Sequence, residues 1–177
     1  MTITNKGRNV TSVRAPVDAV DFNDLEIINV DEELPTIGEL YIMQLKIEGQ
    51  SYEFAGVLLA EGSSQSDMHR DHPDTATAPK GVKCSACRWL EVELYRRIDE
   101  TPHVYVVVTR GPSICTGERD YEKITFTESP YEVVEVLTVR KTRGTQSTFL
   151  PPQHARAIAQ AAAHDEGIRK AYTQAVA

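Results

Sequence analysis

GELYIMQLKIE (Gly38–Glu48) and SYEFAGVLLA (Ser51–Ala60), joined by Gly49-Gln50, form the stretch on which the reading of the fold turns. Tyr41, Met43, Leu45 and Ile47 alternate with Ile42, Gln44 and Lys46, the period of two that sends one set of side chains to one face of a strand. A two-residue connection with glycine first suits a tight turn, so the two segments are expected to pair as a β-hairpin. Further strands follow downstream. Within Trp89–Arg97, Leu90, Val92 and Leu94 point one way, and Glu91, Glu93, Trp89 and Tyr95 the other. VYVVVT (Val104–Thr109) is β-branched enough for a central strand, and Ile124–Thr127 reads as a short last one. Upstream, regular structure is expected to begin at Leu25–Val30.

Helical signals are confined to the C-terminal part. Ser129-Pro130-Tyr131-Glu132 reads as a capping box with proline at the first helical position. The helix it opens would gather Val133, Val134 and Leu137 on one side, although Val133, Val134, Val136 and Val139 also suit a strand. After a loop through Gly144, Pro151-Pro152 opens an alanine-rich helix with Ala155, Ile158, Ala159 and Ala162 as its apolar stripe. Asp165 can cap a last helix carrying Ile168 and Tyr172. Strands first and helices last predict an α+β fold, an antiparallel sheet with the helices on one face. Residues 1–20 read as an N-terminal arm, and 21–177 as a single domain with a metal-binding loop at 67–89 and a helical region at 129–177.

The 177 residues are 41 % hydrophobic and 25 % charged, the composition of a globular protein rather than a disordered or fibrous one. No apolar run approaches the roughly 18 residues needed to cross a bilayer, and no apolar block follows the first basic residues as in a signal peptide, so no membrane partner and a cytoplasmic location are expected. The net charge is −7. Acids cluster between Ala15 and Leu45, while the C-terminal region is basic. A globally acidic chain argues against non-specific binding to DNA.

Chemistry concentrates in HRDHPDTATAPKGVKCSACRW (His69–Trp89). His69 and His72 form one metal-competent pair, Cys84 and Cys87 another, each with two residues between its members. Two imidazoles and two thiolates make a tetrahedral Zn²⁺ set, and the small Ser85 and Ala86 let the thiolates converge. Cys115 and His103 are reserve ligands. Reduced thiols and loop histidines are the alternative reading, and redox use of the Cys-x-x-Cys would need a helix start after the first cysteine, which is not evident. A closed four-ligand site is structural; a catalytic one keeps a position for water. Zinc nucleobase deaminases use His-x-Glu and Pro-Cys-x-x-Cys. Here the chain has His72-Pro73-Asp74 and Lys83 before Cys84, and a shorter carboxylate would not reach the same proton path. Nucleophile-elbow, phosphate-loop, dinucleotide and His-Glu-x-x-His motifs are absent.

Around the same loop Lys83, Arg88 and Arg97 interleave with Trp89 and Tyr95, the mixture of cations and stacking rings that single-stranded nucleic acid favours. Three segments, Gly81–Trp89, Tyr131–Arg140 and Phe149–Pro152, resemble small uncharacterised proteins of actinobacterial phages. That resemblance covers the C-terminal half and implies a phage protein acting in a bacterial cytoplasm, with no activity attached. The sequence therefore predicts a non-enzymatic, zinc-stabilised interaction or regulatory module with a protein or nucleic acid partner. The alternative is a small metal-dependent enzyme acting on nucleotides or nucleic acid.

Overall fold

A computed structural model of the chain describes residues 21–65, 88–99, 105–114, 119–141 and 147–176, for 139–141, 147, 148 and 176 the backbone only. Six strands form one sheet in sequence order: β1 (Ile27–Asn29), β2 (Leu40–Ile47), β3 (Gln50–Ser63), β4 (Glu91–Arg97), β5 (Tyr105–Gly111) and β6 (Tyr121–Thr127). From β2 to β6 every neighbour is antiparallel, as expected. β1 departs from that expectation, running parallel to β2 with Ile27 opposite Ile42. A parallel neighbour needs a return crossing, and here the strand to be retraced is only three residues long, so a loop suffices where a helix is usual.

The hairpin at the centre of the sequence reading is present, but its turn sits one residue earlier. Ile47 pairs with Gln50, so Glu48 and Gly49 turn the chain, with φ of +50° and +82°. This is the positive-φ pair of a type I′ turn, whose twist matches that of the flanking strands and which takes glycine second.

After the sheet come α1 (Pro130–Leu137), a small hairpin of β7 (Val139–Lys141) and β8 (Ser147–Phe149), α2 (Pro152–His164) and α3 (Glu166–Val176). The β7–β8 hairpin replaces what reads in sequence as plain loop. Ser129 caps α1 through the Tyr131 amide at 3.1 Å, while Glu132 accepts from the Glu128 amide at 3.2 Å rather than from Ser129, so the box is only half closed. In α2 the buried stripe is His154, Ala157, Ile158 and Ala161, rotated from the expected one. Asp165 does cap α3, accepting from the Ile168 amide at 3.0 Å. The same buried carboxylate accepts from the Tyr105 hydroxyl at 3.2 Å and from Arg96 at 3.2 Å, tying the helix start to β4 and β5.

Helices cover one face of the sheet. Leu59, Ala60, Val92, Leu94 and Val107 meet Val133, Leu137, Ile158 and Ile168 in a closed core, each fully buried side chain stabilising by about 1.5–3 kcal/mol. The approach of α2 is close: a Cβ at Gly62 would lie 2.7 Å from the Gln153 carbonyl oxygen, so only glycine fits there. The other face is concave. Met43, Leu45, Ile47, Phe54, Leu58, Tyr95, Val106 and Val108 pack against one another with Val30 as a lid residue. The sheet curls until β2 approaches β6, where the Glu48 amide donates to Glu122 Oε2 at 3.1 Å. Among the described residues no helix is long and apolar enough to cross a membrane.

Candidate functional site

The connection between β3 and β4 leaves the sheet at Ser64 and returns at Leu90. Its ends are clamped: the Ser64 amide donates to the Leu90 carbonyl at 2.9 Å, and the Leu90 amide donates to Ser64 Oγ at 2.8 Å. One step further out Arg88 bridges Ser113 beyond the end of β5, and the Trp89 amide donates to the Pro112 carbonyl at 3.4 Å. The expected zinc ligands His69, His72, Cys84 and Cys87 lie outside the described residues, together with Lys83 and the reserve ligands Cys115 and His103. What is described is their frame. Cys87 directly precedes Arg88, and Cys115 follows Ser113, Arg88's bridge partner, by two positions. The connection that contains His103 starts and ends at the opposite end of β4, where Arg96 pairs with Tyr105. Among the described residues no group of three or more His, Cys, Asp or Glu side chains could hold a metal ion.

The residues expected to meet nucleic acid are scattered in their roles. Arg88 is exposed, and Trp89 is half-buried with Nε1 donating to Glu91 Oε1 at 2.6 Å. Tyr95 corrects the expectation of a stacking face: its ring is 0 % exposed and stands edge-on to Phe54, centroids 5.6 Å apart. Arg97 is 13 % exposed, donates to Asp99 at 2.8 Å and lies over the rings of Phe54 and Phe126. The reason is the curl. The polar-looking face of β4 is the concave side of the sheet, where charged groups are paired rather than solvated.

At one end this concave side opens as a cavity of about 630 Å³. Glu91 and Glu93 from β4, Arg110 from β5 and Glu122 from β6 share the inward parity of their strands, and register places Glu91 opposite Arg110 and Arg110 opposite Glu122. The segment after β1 supplies the rim with Val30, Asp31 and Leu34. Glu93 is 5 % exposed. Its two oxygens are both engaged, one by Arg110 Nη1 and the other by the Tyr95 hydroxyl at 2.7 Å. Arg110 Nη2 reaches on to Asp31 at 3.5 Å, and Asp31 in turn accepts from the Lys46 amide at 2.8 Å. Burial pushes the Glu93 carboxyl above its ordinary value, against the pull of Arg110 and of the Tyr95 hydrogen bond. Burial, reinforced by the Glu93 charge, also raises the Tyr95 hydroxyl, which remains a donor.

This arrangement suits electrostatic recognition better than proton transfer, because the buried carboxylate has no free oxygen to offer a substrate. Sequence reading passes over the cavity because Glu91 and Glu93 look like the wet side of an alternating strand. The signal that could have found it is the Arg110 guanidinium directly after VYVVVT, at the parity of Val106 and Val108. Comparison with family models, with curated proteins and with solved structures finds no match to this chain.

Proposed function

We propose that the chain is a non-enzymatic interaction module in which a structural Zn²⁺, held by Cys84 and Cys87 with His72 and His69, shapes the β3–β4 excursion into a contact surface for a partner protein. The observation that carries the reading is the clamp at Ser64 and Leu90. A segment whose ends already lie a hydrogen bond apart loses less chain entropy in closing on an ion than one with free ends. The stem also opens beside a surface rich in carboxylates, Glu91 and Glu122 among them, which repels phosphate backbones and favours protein over nucleic acid.

Metal analysis of the purified, tag-free protein tests this. One zinc per chain is expected, lost in Cys84→Ser/Cys87→Ser while the strands and helices persist. Metal-free protein that takes up no zinc from a micromolar solution rules the reading out.

A further inference from the structure

Between Asp21 and Leu34 a single residue is buried, Val30, which is 5 % exposed and belongs to the concave cluster. Ile28 is only half-buried against that cluster, and Ile27 and Leu34 are 58 % and 41 % exposed. The rest of what holds this segment is polar. The Ile42 amide donates to the Glu26 carbonyl at 2.9 Å and the Val30 amide to the Gln44 carbonyl at 2.8 Å, at the two ends of the three-residue parallel ladder. There the ladder stops. Two positions beyond Gln44, the Lys46 amide donates instead to Asp31 Oδ2 at 2.8 Å. The other Asp31 oxygen faces Arg110 Nη2 at 3.5 Å, so one carboxylate fastens the segment to β2 and to β5 at once.

The chain is fixed again immediately downstream. Pro35 is buried, and the Gly38 amide donates to the Leu58 carbonyl at 2.9 Å where the backbone rejoins the sheet. The central strands are held quite differently, with Leu94 and Val107 enclosed between the sheet and the helices. Stability is spread unevenly over a fold, and a stretch with few buried apolar contacts opens at lower cost than the core.

We propose that Glu26–Leu34 is a latch over the cavity, which opens as one unit about Pro35 while β2–β6 and the helices stay folded, with Asp31 as its catch. Closed, the latch walls the cavity with Val30, Asp31 and Leu34. Open, it turns the cavity into a cleft lined by the sheet and bares the Ile42 and Lys46 amides along the outer edge of β2, the kind of edge to which another strand can add. The latch depends neither on zinc nor on the β3–β4 excursion.

Amide hydrogen exchange of the full chain, read residue by residue by NMR in low concentrations of urea, tests this. The amides of Val30, Ile42 and Lys46 are expected to share one protection factor, at least tenfold below that of Leu94 and Val107, and to show little dependence on urea, because opening the latch exposes little surface. Two variants separate the latch from the core. Ile158→Val, beneath the helices, should speed exchange at Leu94 and Val107 at least threefold and leave the three latch amides unchanged, since Ile158 stays packed whether the latch is open or closed. Asp31→Ala should speed exchange at Val30 and Ile42 at least tenfold, although neither amide bonds to Asp31. The proposal is overturned if the latch amides exchange at the rate and with the urea dependence of Leu94 and Val107. Unequal protection of the three, which is fraying residue by residue, also overturns it, as does a response of the latch amides to Ile158→Val or unchanged exchange at Val30 and Ile42 in Asp31→Ala.

Discussion

Ser64 and Leu90 hold each other twice, amide to carbonyl and amide to hydroxyl, and so close the base of the longest connection in the sheet. A stem closed in this way is independent of what it carries. Replacing residues 66–87 by a short Gly-Ser link is expected to leave the sheet and helices folded. It should raise stability by about 1 kcal/mol through the shorter loop and abolish zinc uptake. Far-UV circular dichroism and metal analysis check both halves, and a collapsed spectrum would mean that the excursion belongs to the core.

Arg110 and Glu93 should respond unequally to removal. Arg110→Met strands a buried carboxylate and is expected to destabilise by about 3 kcal/mol at pH 7. Glu93→Gln removes the charge that burial penalises and keeps an acceptor for Tyr95, so its loss should stay below about 1 kcal/mol. The double variant is expected to recover most of what Arg110→Met loses. Urea titrations of the three proteins decide the matter. The Arg110→Met deficit should shrink toward pH 4, because burial raises the Glu93 pKa and the variant loses the Arg110 charge that opposes the rise, so that protonation relieves it as pH falls.

His154 lies buried at the start of α2, with Nδ1 2.7 Å from the Leu137 carbonyl oxygen that ends α1. The carbonyl can only accept, so Nδ1 carries the proton and the neutral ring leaves Nε2 bare. Burial lowers the His154 pKa, only partly offset by the backbone bond. A base depressed in the folded state stabilises above its ordinary pKa, near 6.5, and that contribution is lost as pH falls through the folded value. His154→Gln, which can still donate to Leu137, should therefore lose less stability than the native chain between pH 7 and pH 5. Melting curves in matched buffers should show the native chain falling relative to the variant as pH drops from 7 to 5; a constant difference would place the ring's protonation outside that window.

Glu48 occupies a left-handed backbone position at the first place of the β2–β3 turn. Such a φ costs most side chains about 1–2 kcal/mol, and asparagine much less. Glu48→Asn is expected to raise the melting temperature by about 2–4 °C, the shift worth about 1 kcal/mol in a chain of this size. A lower melting temperature would show that the Glu48 side chain contributes more than its backbone strain removes.

Much of the sheet was legible because its alternation is local: Met43, Leu45 and Ile47 point inward where their spacing puts them, and Ser129 with Pro130 opens a helix despite four valines nearby. The parallel start of β1 was not legible, since strand direction depends on the path of the loop after Asn29 rather than on Ile27–Asn29 itself. The rotated face of α2 has a similar cause. Alanine marks little difference between sides of a helix, and the Leu137 carbonyl, a tertiary partner, draws His154 inward. At the candidate site the sequence named rings and cations correctly as residue types but assigned Tyr95 to solvent. Curling of the sheet makes both faces of β4 interior, and period two cannot distinguish a wet face from a concave one.

The pairing of β3 with β4 slips between Leu58, opposite Tyr95, and Ala60, opposite Leu94, so that Leu59 and Ala60 both lie in the core beneath the helices. β3 thus carries one residue more than its ladder needs. Loss of Leu59 would forfeit a buried side chain yet leave Phe54 and Leu58 inward and Gly62 under Gln153. Loss of a residue between the slip and Gly62 would throw the end of the strand over and bring Ser63 to the place of Gly62, driving a side chain into the Gln153 carbonyl, where a Cβ already has only 2.7 Å. Insertions and deletions in descendants of this chain should accumulate at that slip and be purged from the rest of β3.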